Sequence, residues 1–404
     1  MATLKIFSSN IKVNEFLIVC EKKSVNSTGA QNSSLHFGWL LKIMKISLIV
    51  IYIIGFLAIL LTLLPFLRYS AWWIRIGDFP RLQIAVMLLL SVIAIFMAAD
   101  PLESNQIIFI AALLLCAGYQ LYRILPFLPG YPRQVEKIEE FSPDQTIKLL
   151  ILNVFIENRA TDRFLRLVEQ INPDVILLAE PDEHWVREIA ELEKEYTFTV
   201  KYPLDNAYGM AFYSRLELIN PQLQFIIEED IPSIHTGMRL ASGDLIDFYC
   251  LHPRPPIPPE NSRSTERDAE LVIVGKLISE SDAPTIVAGD LNDVAWSHTT
   301  KLFRKISGLL DPRIGRGLYS SFHADYPFLR FPLDHVFHTK HFRLTKLRRL
   351  PHIGSDHYPI FIALSYEKTA ELTQEEPQPD ADDVEAALEI VEDAVETLEA
   401  EKES

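Results

Sequence analysis

Cysteine is scarce in this sequence. Cys20, Cys116 and Cys250 are the only three in 404 residues, and no two form a CxxC pair. Their spacing excludes a disulfide framework and a thiolate zinc site. A basic excess is also missing. The formal net charge is −16, but fifteen acidic residues and two lysines lie between Tyr366 and Ser404, a net −13. The rest of the chain is near neutral, at −3, without the positive field expected of a high-affinity duplex DNA binder. No repeat recurs at a solenoid period, which excludes an array of stacked units. Charge is nearly absent from much of the first third, and large apolar side chains are sparse in the tail.

That uncharged third holds three long apolar runs. Ile46–Leu67 and Leu82–Ala99 contain no charged residue, and Ile107–Leu128 contains only Arg123, near its end. At about 1.5 Å per helical residue, each is long enough to cross a bilayer core. Arg123 can snorkel to the interface, and Tyr69, Trp72 and Trp73 flank the first run as interfacial aromatics do. No small-residue cleavage site follows the first run, so a cleaved signal peptide does not fit. Residues 1–43 are polar and aperiodic and read as a disordered lead, with Met44 as an alternative start. Residues 44–128 read as a three-helix membrane domain. Five cations (Arg68, Arg75, Arg81, Arg133, Lys137) against two (Lys42, Lys45) favour the cytoplasmic side for the first loop and the C-terminal domain. The expectation is a multi-pass inner-membrane protein.

Pro129-Gly130-Tyr131-Pro132 is a stiff exit, and 129–146 reads as a charged linker. From Ile147 the pattern changes to short apolar strands alternating with amphipathic helices. Strands are expected at Lys148–Val154, Asp174–Ala179, Phe198–Val200, Gly209–Tyr213, Gln224–Ile227, Leu245–Leu251 and Pro284–Ala288, then at Pro332–His338, Phe342–Arg348 and Tyr358–Leu364. Helices are expected at Thr161–Ile171, Arg267–Ile278 and Ser297–Ile306. In the acidic tail, 366–404, Val384, Leu388, Val391, Val395 and Leu398 repeat at steps of four and three. Two heptads are marginal for an isolated helix, and a solvated, partly helical tail is the expectation.

Polar residues of one kind gather at the strand ends. Asn153 follows LLIL, Glu180 follows VILLA, His252 follows DFYCL, Asp290 and Asn292 follow TIVAG, Asp334-His335 lies in PLDHVF, and Asp356-His357 precedes YPIFIAL. Each alone reads more simply as a cap, a turn residue or a structural histidine. Together they can converge on one side of a layered fold.

The set Asn153, Glu180-Pro181, Tyr208-Gly209-Met210-Ala211, His252-Pro253, Gly289-Asp290-Leu291-Asn292-Asp293, Asp334-His335 and Ser355-Asp356-His357 resembles the endonuclease/exonuclease/phosphatase superfamily (DNase I-like), over 147–365. The lead resembles that of membrane-anchored bacterial members. The resemblance implies a four-layered α/β sandwich with two central, mostly antiparallel sheets. It implies hydrolysis of a phosphate ester with Mg²⁺, or Mn²⁺ in its place. Glu180, Asn153 and Asp356 would then hold the metal, and Asp290 would orient or deprotonate water. Asn292 would hold a phosphoryl oxygen, His357 fixed by Asp334 would face the phosphate, and His252 would serve the leaving group. Asp293 reads as a helix cap. Arg254 is a candidate phosphate clamp, against the plain reading of a surface arginine on a Pro-stiffened loop. The substrate is open between nucleic acid, phospholipid and a small phosphodiester. Near-neutral charge opposes a duplex nuclease, and no hydrophobic insertion loop stands out in the domain to favour a lipid. The alternative function is an inactive family member scaffolding through its acidic tail.

Overall fold

The computed structural model describes residues 30–67, 69–98, 101–258 and 261–403; most of the lead, 1–29, lies outside these. Helix α1 spans Ala30–Leu63, beginning inside the stretch read as lead. A short helix α2, Trp72–Arg75, precedes α3, Arg81–Ala98, and α4, Ser104–Ile124. Three segments, Ile46–Leu67, Arg81–Ala98 and Ser104–Phe127, are long and apolar enough to cross a membrane.

The chain divides into two units. In the first, residues 30–58 and 87–114, Gly55 leaves room for Phe109 and Leu113, and the Tyr52 and Phe109 rings lie 5.2 Å apart.

The second unit, 59–86 with 115–404, holds eleven strands in two sheets. In chain order they are β1 Thr146–Asn153, β2 Val175–Ala179, β3 Phe198–Tyr202, β4 Met210–Ser214, β5 Glu217–Gln224, β6 Ser233–Arg239, β7 Leu245–Cys250, β8 Thr285–Asp290, β9 Asp334–His338, β10 Phe342–Arg349 and β11 Ile360–Tyr366. One sheet has the order β10-β11-β1-β2-β4-β3, the other β5-β6-β7-β8-β9. Each sheet has a single parallel pair, β1/β2 and β7/β8. Parallel neighbours need a crossover, supplied by α5, Thr161–Ile171, in one sheet and α7, Thr265–Ser279, in the other.

Period-two alternation builds the layers. Leu149 and Ile151 of β1 face Phe248, Cys250 and Ile286 of the other sheet across a shared core. Leu150 and Leu152, one residue out of phase, pack on Phe164, Leu167 and Val168 of α5 and on Trp185. Tyr249 and Val287 pack outward on Leu271, Val274 and Ile278 of α7 and on Phe303 of helix α8, His298–Ser307. The result is the four-layered α/β sandwich of DNase I-like proteins.

Three local readings change. Of the expected strand Gln224–Ile227 only Gln224, the last residue of β5, is in a strand, and neither the rest of β5 nor β6 was foreseen. Its register on β7 carries Ile234 and Met238 into the core, but Gly237 and partly buried polar residues interrupt its apolar run. Residues 129–146 are packed: Val135 is buried, and Ile138 N and Leu344 N bond to Leu344 O and Glu136 O along β10. The tail is docked. Helix α9, Ala381–Glu403, seats Ala387 on Val272 and Leu302, and Lys305 binds Asp380 and Asp383. Val384, Leu388 and Val395 of the expected seam are exposed instead, because the small alanines admit a closer approach. A crevice of about 910 Å³ lies beneath this helix and contains none of the candidate catalytic residues.

Candidate active site

The two parallel pairs decide where the site forms. Strands running the same way deliver their C-terminal ends to one edge, so Asn153 and the residue after Ala179 emerge together, as do the residue after Leu251 and Asp290. The antiparallel neighbours begin at that same edge: Asp334 opens β9 opposite Asp290, and His357 precedes β11 beside β1. Nominees spread over two hundred residues therefore meet.

Two glycines permit the closeness. A Cβ on Gly289 (φ +145°) would fall 1.9 Å from Leu251 O, and one on Gly209 would fall 2.1 Å from Pro181 O. Without side chains there, β8 closes on the segment leading to His252, and β4 closes on Glu180-Pro181. Glu180 itself sits at φ +62°, its N–H donating to Gly209 O at 2.8 Å. A strained, bonded backbone of this kind aims a side chain firmly.

Asn153 Nδ2 donates to Glu180 Oε1 at 2.7 Å and to Asp290 Oδ2 at 3.0 Å, while its Oδ1 accepts from Phe155 N–H. Asn153 thus bridges the two acids. Ile156 N–H reaches Glu180 Oε2 at 3.3 Å. Asp290 Oδ1 accepts from Asn292 N–H, and Asp290 Oδ2 lies 3.6 Å from His357 Nε2. His357 Nδ1–H donates to Asp334 Oδ2 at 2.7 Å. Burial works against protonation of His357, yet the Asp334 and Asp290 carboxylates and the Asp334 hydrogen bond push its pKa up to about 10. Burial likewise opposes ionisation of Asp290, but His357, His252 and the Asn153 amide hold its carboxyl below the usual range.

His252 is buried with Nδ1 unpartnered, near the Tyr208 ring. Asn292 Nδ2 donates to Pro253 O at 2.9 Å. Asp356 is half-buried next to His357, its carboxyl raised by burial. Arg254 stacks over Tyr208 but is paired with Glu228 and Asp230 at 3.1 and 3.2 Å. Its charge is already matched, so it is not held ready for a phosphate. Asp293 does not cap α8: Ser297 does, accepting from Thr300 N–H, and Asp293 accepts from the Ser297 hydroxyl at 2.5 Å.

Asp290, Asp334 and His357 also form the one cluster with metal-ligand spacing among the described residues. Within that cluster His357 Nδ1 and Asp334 Oδ2 are already satisfied by each other at 2.7 Å, which leaves fewer open ligand atoms there. Glu180 is a better anchor. Burial raises its carboxyl, no lysine or arginine pairs with it among the described residues, and its oxygens accept from Asn153 Nδ2 and Ile156 N–H. Hard oxygens short of positive charge suit a divalent cation.

Four residues support the site, three of which escaped the sequence reading. Ser355 Oγ donates to Asn153 O at 2.6 Å and accepts from His357 N–H, tying the histidine to β1. Ser321 Oγ accepts from Leu333 and Asp334 N–H. Arg267 donates to Asn292 O at 2.6 Å and pairs with Asp268, itself 3.4 Å from Arg75. The Ser-Asp-His tripeptide pointed to Ser355; nothing in the sequence singles out Ser321, Arg267 or Asp268.

The pattern of the Endonuclease/Exonuclease/phosphatase family matches residues 152–357, just over half the chain and the span that holds this geometry. The chain belongs to that family. Several solved structures are similar to this family member. D. rerio TDP2 complexed with a single-strand DNA product is 16% identical at a TM-score of 0.45, covering 55% of this chain and 99% of that one. The human Nocturnin catalytic domain with a bound sulfate anion is 15% identical at 0.46, covering 58% and 97%. An endonuclease/exonuclease/phosphatase from Beutenbergia cavernae is 16% identical at 0.45, covering 55% and 72%. No curated protein sequence matches the chain.

Proposed function

We propose that this chain is a membrane-anchored, Mg²⁺-dependent hydrolase of phosphate esters, a phosphodiesterase or phosphatase. The single observation that carries the reading is the line Asp334–His357–Asp290 beside the Glu180–Asn153 pair. Glu180 holds the metal, with Asp356 and the Asn153 carbonyl oxygen within the same edge. When bound, the cation supplies positive charge to the phosphoryl oxygens and lowers the pKa of water.

The chain's own groups do the rest. Ionised Asp290 accepts the proton of the attacking water. Protonated His357, held in orientation by Asp334, donates from Nε2 to a non-bridging phosphoryl oxygen as negative charge grows there. The second N–H of the Asn292 amide serves another phosphoryl oxygen. His252 faces the leaving group, and Arg254 lies behind it through Tyr208. The anchor is the three apolar helices, in a multi-pass inner-membrane arrangement with the hydrolase domain on the cytoplasmic side, as the distribution of cations favours.

The test uses the full chain in detergent, with Mg²⁺ or with EDTA, on bis(4-nitrophenyl) phosphate, single-stranded DNA and phospholipid. Metal-dependent turnover that Asp290→Ala and His357→Ala both abolish is the expected result. Turnover indifferent to EDTA and to both substitutions sinks the reading.

A further inference from the structure

The ends of the apolar helices meet the active-site loops directly. Trp296 Nε1 donates to Asp78 O at 2.7 Å, and Arg123 donates to Trp296 O at 2.5 Å. Phe127, Val294, Trp296, Phe331 and Leu333 form one apolar cluster, with Phe79 on its border. Trp72 N–H bonds to Ser262 O, and Ser264 N–H to Ser70 O. The helix ends thus touch the loop after β8, the loop entering β9 and the loop before α7, all at the sheet edge that carries the site.

One of these loops turns large apolar side chains outward. Between Ser321 and Phe331 the chain crosses the mouth of the site. Phe322 lies 5.0 Å from the His357 ring, and Ala324 N–H donates to Asp356 O at 2.6 Å. The same loop then presents Tyr326, Phe328 and Leu329 to solvent, at 57%, 84% and 50% exposure. Such a cluster on a rigid loop marks a contact surface. Its position says with what. Gln83 in the first turn of α3 donates to Phe328 O at 2.7 Å, so the loop stands level with the start of a span. Trp72, Trp73 and Ile76, on the loop between the first two spans, are exposed as well. Interfacial aromatics occupy this depth in membrane proteins. Arg330 and Arg349 both lie over the ring of Tyr358, the residue after His357, at 5.1 and 4.4 Å from its centroid. Neither arginine has a carboxylate partner among the described residues, unlike Arg254.

We propose that Tyr326–Leu329 dips into the headgroup layer of the bilayer that holds the spans, and that the substrate is a lipid phosphate ester taken from that surface. This rests on the phosphate-ester hydrolase reading and adds its substrate class. An apolar loop at span depth holds the site mouth against the interface, while Arg330 and Arg349, which bond to Ala324 O, Tyr358 OH and Ser320 O but to no carboxylate among the described residues, bring positive charge over the Tyr358 ring that follows His357. The insertion loop that the sequence did not reveal is a short, Pro-containing turn rather than a long apolar run.

The experiment has two arms, both on the full chain in phosphatidylcholine vesicles containing phosphatidylglycerol. In the first, an environment-sensitive fluorophore is attached at Phe328→Cys or, as a control, at Glu193→Cys, beside Lys201 of the edge strand β3, in a background with the native cysteines replaced. A blue shift and quenching by brominated lipid at position 328 but not at 193 is expected. Equal, water-like emission at both sites overturns the proposal whether or not the protein is active. In the second arm, Tyr326→Ser, Phe328→Asp and Leu329→Ser are combined; all three side chains are exposed, and circular dichroism checks the fold. The ratio of phospholipid to bis(4-nitrophenyl) phosphate turnover should fall at least tenfold. An unchanged ratio, or faster cleavage of single-stranded DNA than of any lipid, overturns it. Absence of turnover on every substrate by the unaltered chain counts against the hydrolase reading alone, and the fluorescence arm still decides the loop.

Discussion

His357 Nδ1 and Asp334 Oδ2 lie 2.7 Å apart although the strands they adjoin, β11 and β9, belong to different sheets. Asp334 opens β9, and His357 sits in the loop entering β11. The hydrogen bond therefore joins the sheets at the edge where the site forms, and it sets the charge of the imidazole.

Removing the Asp334 charge should release that control. In Asp334→Asn the expected loss of kcat is roughly 10²–10⁴-fold. Where residual activity is measurable, its fall at alkaline pH should begin well below that of the unaltered protein, whose His357 stays protonated up to about 10. A pH profile of kcat/KM that keeps the same alkaline limb in both proteins would contradict the assignment.

The same raised pKa has a consequence for stability. His357 titrates higher in the folded chain than the ordinary value of 6.5, so its protonation favours the folded state. That contribution is complete below the unfolded pKa and is lost as pH rises through about 10. Thermal melts should show the unaltered protein losing more stability between neutral and strongly alkaline pH than His357→Gln does.

Glu180 should register the metal without any substrate. A ligand that binds only the folded state stabilises it by about 2.7 kcal/mol at one hundred times its Kd. Mg²⁺ is expected to raise the Tm of the unaltered protein and to leave Glu180→Gln nearly unmoved. An equal rise in both would place the metal elsewhere. Because burial raises the Glu180 carboxyl, the rise should shrink as pH is lowered.

Gly289 and Asp268 test the frame. Gly289→Ala drives a Cβ against Leu251 O, and a loss on the order of 3 kcal/mol or more is expected from urea unfolding. Asp268→Ala leaves buried Arg267 with only the more distant Asp293, at 3.9 Å, for which a loss of up to about 3–5 kcal/mol is expected. A change under about 0.5 kcal/mol in either, the range of ordinary surface substitutions, would show that the contact is not made.

Much of the fold was legible because burial on both faces writes itself as apolar runs. KLLILN, DVILLA and TIVAGD could only be inner strands, and α5 spans the expected Thr161–Ile171. What failed was built on sparser signals. Strand β6 hides behind its polar and glycine residues. The tail's valine and leucine spacing suggested a seam, but the contact runs through Ala386, Ala387, Ile390 and Val391, so that Val391 belongs to it while Val384, Leu388 and Val395 do not. The loop Tyr326–Leu329 is too short to register as an apolar run, and only its exposure sets it apart.

By itself, then, the sequence determined the strands, the apolar spans and the chemical kinds of residue at the strand ends, since these depend on local periodicity and side-chain type. It could not say which ends meet. That was decided by two parallel strand pairs, which bring Asn153, Glu180, His252 and Asp290 to one edge, and by the antiparallel partners that return Asp334 and His357 to it. Tertiary structure also decided which charges are free. Arg254, promising on its loop, is taken up by Glu228 and Asp230, because long-range ion pairing leaves no mark on local sequence.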